Sequence, residues 1–550
     1  MPTTISPQDL DGLLKGSSPF ALIDVRETGE YNNAHIPGAS LIPRRDLEAQ
    51  MADAVPHSAT PVVLCDDDAR RATLAGATLE GLGYSDVSVL DGGINRWVTQ
   101  EYPTEWGVNV PSKDFGEKVE VVHHVPEIDA VELQERIDSG EEIVILDTRT
   151  PEEYQRLCIP GGRSVPGAEL ALRITDITRE MSDDATVVIN CAGRTRSIIG
   201  TRVLQRMGLP NVVGLKNGTA GWSLAGYSLE SGADRLELPD LSEEGIAAAE
   251  AYADRLAEED GVQYIDADGL QALMARRSDE TVYLVDVRTT EEYAAGHIPG
   301  FRWFAGGQAV QRSDEVAVVK NCPIVFCCDG RARATITASW YRQMGHEHVY
   351  ALHGGTGEWQ RAGNSLEQGH SPTQALGMDE ARSKIRMLAP SEVPSAADAS
   401  ITLVGTSGGP AAYVRGAEAP AADAVIIFVG TSQQFAEAHV PGSRWVPRGW
   451  LEAQIAGVAS DKAVPVVVTC VDGVASTFAG ATLADEGYAD VSVLEGGVNA
   501  WRQAGRDVEQ GLSGVMSTPA DVVPAGTDRG YADMMNYLRW EEELGRKYES

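Results

Sequence analysis

Leu22-Ile23-Asp24-Val25-Arg26, followed by Glu30-Tyr31 and His35-Ile36-Pro37-Gly38, is the stretch that decides the fold, because it returns three times. Ile145-Leu146-Asp147-Thr148-Arg149 leads to Glu153-Tyr154 and Cys158-Ile159-Pro160-Gly161. Leu284-Val285-Asp286-Val287-Arg288 leads to Glu292-Tyr293 and His297-Ile298-Pro299-Gly300. The fourth occurrence is worn: Ile427-Phe428-Val429-Gly430, Gln434-Phe435, His439-Val440-Pro441-Gly442. An ordered phrase that recurs at long intervals means one structural unit used four times.

Each phrase is followed by a second apolar run ending at a cysteine: Pro61 to Cys65, Thr186 to Cys191, Pro323 to Cys328 and Pro465 to Cys470. A helical stretch, a short apolar run, a glycine turn and a tryptophan come next; the tryptophans are Trp97, Trp222, Trp359 and Trp501. Short apolar runs without strict alternation, separated by helical stretches, predict buried parallel strands joined by crossover helices. Each copy is therefore expected to be an α/β unit, an open parallel β-sheet flanked by helices on both faces. Ligands of such sheets sit beyond the carboxyl ends of the strands, where each cysteine falls. The expected units are 1–108, 120–230, 258–368 and 385–510, with a C-terminal helical extension over 511–550. Residues 228–262, acidic and alanine-rich, predict a helical connector; 365–400 form a mixed linker; Tyr531 to Tyr548 predict a terminal helix resting on a neighbouring domain.

Composition excludes several function classes. The 550 residues carry a formal net charge of -36, which argues against nucleic acid and anionic membrane, since both require a basic face. That field also repels anionic substrates at long range, so an anion site needs locally placed arginines. No apolar run approaches the ~20 residues of a membrane helix, and the N-terminus lacks the pattern of a secretion signal, so a cytoplasmic address is expected. The seven cysteines include no Cys-x-x-Cys and predict no disulfide framework. No His/Cys cluster has metal-ligand spacing, so neither metal nor cofactor is expected.

The chemistry points to the second cysteine loop, Cys191-Ala192-Gly193-Arg194-Thr195-Arg196-Ser197. A loop between a strand and a helix N-terminus turns backbone N–H groups inward and favours negative charge at its centre. A cysteine there is held partly as thiolate, the reactive form. Gly193 lets the loop curl, and Arg194 or Arg196 is placed to bind an anionic sulfur donor or to stabilise the charged intermediate. Asp147 with Arg149, and Asp286 with Arg288, are expected as supporting ion pairs near the loops. The histidines of the His-x-Pro-Gly turns are expected to brace those turns.

These motifs, in this order, resemble the rhodanese (thiosulfate sulfurtransferase) superfamily, over nearly all of the chain and as four tandem domains. The resemblance implies a loop cysteine that takes sulfur from a small sulfur-containing anion such as thiosulfate. It would hold the sulfur as a persulfide and pass it to cyanide, a thiol or a protein acceptor. Cys191 matches the persulfide cysteine and Arg196 the loop arginine.

The four loops are unequal. Cys328-Asp329-Gly330-Arg331-Ala332-Arg333 keeps the glycine and arginine, making Cys328 the second candidate nucleophile, though Asp329 beside it should weaken its thiolate. In the first copy either the loop is one residue longer or Asp66 occupies the nucleophile position. A longer loop would have the Cys-to-Arg spacing of cysteine phosphatases, but Asp66, Asp67 and Asp68 are electrostatically wrong for a dianion. In the fourth copy Ala475 replaces the arginine. Cys65 and Cys470 are thus weak candidates, and Cys158, Cys322 and Cys327 read as small buried hydrophobes. The rival readings to sulfur transfer are a non-catalytic multi-domain binding scaffold and a persulfide relay.

Overall fold

Strand pairing divides the chain into four sheets. The computed structural model describes residues 2–182, 184–370, 375–393 and 424–549. Parts of the expected linker 365–400 and of the fourth unit, namely 371–374 and 394–423, lie outside the described residues. The first repeat contains β1 (Thr3–Ile5), β2 (Ala21–Asp24), β3 (Ser40–Leu41), β4 (Val62–Cys65) and β5 (Val87–Leu90). The second contains β6 (Glu127–Ile128), β7 (Ile143–Asp147), β8 (Arg163–Ser164), β9 (Thr186–Asn190) and β10 (Val212–Leu215). The third contains β11 (Gln263–Ile265), β12 (Tyr283–Asp286), β13 (Arg302–Trp303), β14 (Ile324–Cys327) and β15 (Val349–Leu352). The fourth contains β16 (Arg386–Leu388), β17 (Val425–Phe428), β18 (Arg444–Trp445), β19 (Val466–Thr469) and β20 (Val491–Leu494).

Every sheet has the same order, with first-repeat equivalents β1-β5-β4-β2-β3, and every pairing between its strands is parallel. Parallel strands require a crossover, which is why helices separate them. Both sheet faces are covered because successive side chains alternate and both sets are apolar. In the fourth repeat Ile427, Val466, Val468 and Val493 fill one face, while Ile426, Phe428, Val467 and Leu494 fill the other.

The repeats join unequally. A single hydrophobic cluster runs through the first three, from Ile23 and Leu64 through Ile189 and Leu204 to Phe326 and Tyr341. The fourth keeps separate cores. It meets the first through a reciprocal contact: Arg44 pairs with Glu452, Arg448 pairs with Glu48, and each arginine also donates to the other's backbone carbonyl. The positions correspond between repeats, so this contact has the self-complementary form of a two-fold dimer interface within one chain.

The acidic connector forms a helix over Glu243–Asp260, capped at its start by Ser242, whose Oγ accepts from Gly245 N at 3.0 Å. It lies along the Ala332–Gln343 helix that follows the third cysteine loop. The C-terminal helix Tyr531–Gly545 does not rest on the fourth repeat, its neighbour in sequence. It packs against the Val110–His123 helix after the first repeat, and its Met534 and Leu538 cluster with Ala220 of the second. No described helix is long and apolar enough to cross a membrane.

Candidate active site

The strand registers settle which residues are equivalent. Asp24 stands beside Cys65, Asp147 beside Asn190, Asp286 beside Cys327 and Phe428 beside Thr469. Cys65 and Cys327 are therefore strand-end core residues, and the nucleophile position, one residue on, is held by Asp66, Cys191, Cys328 and Cys470. A second constraint agrees. The glycines Gly93, Gly218, Gly355 and Gly497 have φ of +61°, +53°, +52° and +57°; a Cβ on each would stand 2.1 to 2.5 Å from the carbonyl oxygen of that same residue. Only glycine permits this turn to press against the cysteine loop. Thr219 N and Ala220 N then donate to the carbonyls of Cys191 and Ala192, at 2.9 and 3.1 Å, and fix the loop.

Between the two alternatives for the first copy, the loop is not longer: an aspartate holds the nucleophile position. The Asp66 carboxylate accepts from Arg71 N at 2.7 Å and from Asp68 N and Ala72 N at 3.2 Å each, and it also accepts from Ala69 N. A carboxylate seated on loop amides at a helix start shows the electrostatic character of the position. Burial, with Asp24 adding, pushes the Cys65 thiol well above its ordinary value.

In the second repeat Cys191 directly follows β9 and precedes the helix Thr195–Met207. Its Sγ donates to Ser197 Oγ at 3.5 Å, and Ser197 Oγ donates to the Arg194 carbonyl at 2.7 Å. The thiol is 2% exposed and lines a cavity of about 550 Å³ together with Ala192, Gly193, Thr195 and Arg196. The cavity roof comes from outside the repeat: Lys113 of the helix after the first repeat, and Arg529, Tyr537, Leu538 and Glu541 near the C-terminus. Gly193 lies directly beneath that roof, since a Cβ on it would come within 3.3 Å of Glu541 Oε2.

Both loop arginines assigned to the donor are engaged elsewhere. Arg194 donates to Glu117 at 2.7 and 3.0 Å, and Glu117 keeps its guanidinium fully charged against burial. Arg196 makes a two-pronged pair with Glu153 at 2.7 and 2.9 Å. Burial opposes charge on Glu153, yet the Arg196 hydrogen bonds and field outweigh it and bring its carboxyl to about 2.

Glu153 is the residue whose role the sequence pattern concealed. Its Oε2 accepts from Thr150 N at 3.1 Å while Thr150 Oγ1 accepts from Glu153 N at 3.2 Å, a capping box for the helix Pro151–Arg156. One carboxylate thus caps that helix and holds the loop arginine. The pair recurs as Glu30–Arg71 at 2.8 Å and Glu292–Arg333 at 2.7 Å. The signal was available: the fourth repeat loses both partners together, as Gln434 and Ala475, while Gln434 still accepts from Thr431 N at 3.0 Å. Capping needs only an oxygen; holding arginine needs the charge.

Asp147 and Arg149 form a buried pair at 2.7 Å, and Arg149 also donates to the Leu157 carbonyl at 2.6 Å, tying β7 to the turn before β8. Asp286 and Arg288 repeat this at 2.6 Å, with the Gly296 carbonyl in place of Leu157. His35, His297 and His439 hydrogen-bond the carbonyls of Tyr31, Tyr293 and Phe435 at 3.1, 3.0 and 2.7 Å. Cys158 takes the histidine's place in the second repeat, buried and bonded through its backbone to Glu230.

The third loop is closed. Arg333 is bound by Glu292, by Asp329 at 2.8 Å and by Glu169 of the second repeat at 2.6 Å; Arg331 is held by Asp254 of the connector helix at 2.8 Å. Burial pushes the Cys328 thiol up to about 12, with Asp329 adding and Arg333 opposing. In the fourth loop Cys470 Sγ accepts from Gly473 N at 3.2 Å, and burial raises its thiol despite the Ser476 hydrogen bonds. Cys322 donates to the Val319 carbonyl at 3.1 Å, far from any loop.

Comparison with known proteins bears on this geometry. The rhodanese-like domain matches at residues 6–100, 129–225, 267–362 and 415–504. The crystal structure of thiosulfate sulfurtransferase from Pseudomonas aeruginosa superposes with a TM-score of 0.86 at 35% identity, covering 100% of this chain and 98% of that one. A thiosulfate sulfurtransferase of Pseudomonas aeruginosa is 26% identical over 261 residues, 40% of this chain and 94% of its own length. The probable adenylyltransferase/sulfurtransferase MoeZ of Mycobacterium tuberculosis is 37% identical over 102 residues, 18% of this chain; the match spans only 26% of MoeZ. These relatives share sulfur transfer by name. One domain matched four times in tandem accounts for most of the chain, which therefore belongs to the rhodanese-like family.

Proposed function

We propose that this chain transfers a sulfane sulfur from thiosulfate, or a donor of like chemistry, to cyanide or a thiol through a persulfide on Cys191. The observation that carries this reading is the cavity of about 550 Å³ that opens on Cys191 beside a helix N-terminus, in a loop that Glu153 and Gly218 hold in shape. The Cys191 thiolate attacks the outer sulfur of the donor. The donor's S–S bond breaks, sulfite leaves with the bonding pair, and Cys191-S-S⁻ remains. Loop amides stabilise that charge. The acceptor then attacks the outer sulfur, forming thiocyanate or a persulfide and returning the Cys191 thiolate.

The other repeats serve as framework under this reading. Asp66 has no thiol to offer, Cys470 has lost its arginine, and Cys328 lies beneath a closed loop. Mass spectrometry of the intact chain after thiosulfate treatment, followed by peptide mapping, tests it. One added sulfur, removable by a reductant, is expected on the Cys191 peptide and none on the Cys328 peptide. An equal gain on both would restore Cys328 as a second carrier; no gain on any cysteine would leave the four repeats a binding scaffold.

A further inference from the structure

Among the described residues, six cationic side chains line the Cys191 cavity: Lys113, Arg149, Arg156, Arg194, Arg196 and Arg529. Four are paired with carboxylates: Arg149 with Asp147, Arg194 with Glu117 and Arg196 with Glu153 through two-pronged contacts, and Arg156 with Asp528 through one contact at the surface, where both side chains are more than half exposed. An arginine already held by a two-pronged carboxylate has few donors left for a ligand. Among the described residues the remaining two make no ion pair. Lys113 is buried, and the one hydrogen bond of its Nζ goes to the Val108 carbonyl at 2.5 Å. Arg529 keeps a buried Nε with no hydrogen-bond partner. Both face one ring: the Arg529 guanidinium lies 4.4 Å from the Tyr537 centroid and Lys113 Nζ 5.0 Å from it. Glu541 in the same roof favours charge on Lys113, but neither cation has a direct ion pair, so an anion entering the cavity meets two cations with donors still free.

We propose that Lys113 and Arg529, which lie outside all four repeats, bind the anionic end of the sulfur donor at Cys191. This rests on the Cys191 reading above and deepens it. In a chain of net charge -36, donor capture needs local positive charge, and the loop arginines are occupied. The same two residues meet the sulfite anion as it leaves. Glu541, in the same roof, directs Oε1 to the Tyr537 hydroxyl at 2.6 Å and leaves Oε2 unpartnered. Burial raises the Glu541 carboxyl above its usual range, and Lys113, Arg194 and Arg529 oppose that rise. Cavity specificity then depends on segments far apart in sequence, the helix after the first repeat and the C-terminal extension.

A pH signature accompanies the geometry. Burial lowers Lys113 to about 8; Glu541 and Asp314 favour its charge, Arg529 opposes it, and the Tyr537 and Trp540 rings face it. The ammonium prevails below about pH 8 and is lost above, so donor capture weakens as pH rises past that value. An arginine at 113 stays charged and removes that decline.

The test measures sulfur transfer to cyanide by the full chain and its Arg529→Gln, Lys113→Met and Lys113→Arg variants, with thiosulfate and with the neutral donor dimethyl trisulfide, whose central sulfur the Cys191 thiolate attacks as methanethiolate leaves; cyanide displaces Cys191 from the resulting Cys191-S-S-S-CH3 as NC-S-S-CH3, which methanethiolate cleaves to thiocyanate and dimethyl disulfide. Losing one charge-assisted contact should lower kcat/KM for thiosulfate about tenfold in Arg529→Gln and in Lys113→Met. The loss with thiosulfate should exceed the loss with the neutral donor by about fivefold or more. Lys113→Arg should restore most of the thiosulfate value and flatten its decline above pH 8. Arg529 is half-buried in a loop, so its variant informs even if Lys113→Met misfolds. An unchanged kcat/KM for thiosulfate in Arg529→Gln, or equal losses with both donors, overturns the anion assignment and leaves Cys191 as carrier. If the unaltered chain takes sulfur from neither donor, the Cys191 reading falls, and this one with it.

Discussion

Replacing Cys191 with serine is expected to lower the rate of sulfur transfer by roughly three orders of magnitude or more, as removal of a covalent nucleophile does. Serine preserves the volume of a side chain that is 2% exposed and can still bond Ser197, so the loop should keep its shape. What disappears is a sulfur nucleophile polarisable enough to carry a second sulfur. The matching Cys328→Ala change is expected to leave the rate within about twofold. A thiol pushed up to about 12 is thiolate to only about one part in ten thousand at pH 8. Arg333, held by three carboxylates, also closes that loop to a donor. Steady-state thiocyanate formation from thiosulfate and cyanide checks both. Retained turnover in Cys191→Ser would remove the proposed mechanism, and a large loss in Cys328→Ala would give the third repeat a share in it.

The second large effect is on stability. Arg448→Ala should destabilise the attachment of the fourth repeat by about 3–5 kcal/mol, the usual consequence of leaving one partner of a buried ion pair uncompensated. Arg448 and Glu48 are both nearly inaccessible, Arg448 Nη1 reaches Glu48 Oε2 at 2.8 Å, and the guanidinium also stacks 5.4 Å from the Phe478 ring. Because the fourth repeat has its own cores while the first three share one, the loss should not spread evenly. Urea denaturation followed by tryptophan fluorescence should show an early transition absent from the unaltered chain, as Trp450 leaves the Arg71 guanidinium on which it rests, 3.8 Å from its ring. Changing both partners to leucine should recover most of the loss, since no buried charge then remains. A single unshifted transition in Arg448→Ala would show that apolar contact alone holds the interface.

Much of the site was legible one repeat at a time. The cysteine position follows from an apolar run that must stop where a strand meets a helix, and the Asp-x-Arg pairs follow from two charged residues that share one strand end. The first loop was not decidable from spacing, because Cys65 and Asp66 differ by one residue, and only the pairing of Asp24 with Cys65 set the register. The partner of Arg196 was hidden because Glu153 lies 43 residues away and also satisfies a local capping motif. The reciprocal arginine pairs left a trace in the recurrence of Pro-Arg-x-x-Leu-Glu-Ala-Gln at 43–50 and 447–454, but a recurrence does not reveal that two copies face each other.

The division between the two levels has a physical cause. Strand, turn and loop depend on short-range patterns of apolar, charged and glycine residues, and each repeat carries those patterns within itself. Fold class, repeat number and the position proposed to react are therefore properties of the sequence. How the repeats assemble depends on which outer faces are complementary, and that depends on shape and charge across hundreds of residues. The C-terminal helix reads as amphipathic and ready to pack, yet it passes over the adjacent fourth repeat to roof the second. There it packs on the helix that carries Lys113 and Glu117, so the Glu117 partner of Arg194 and the presence of Lys113 and Arg529 in the wall of the Cys191 cavity were decided by tertiary structure, while Arg196 is held by Glu153 from within its own repeat.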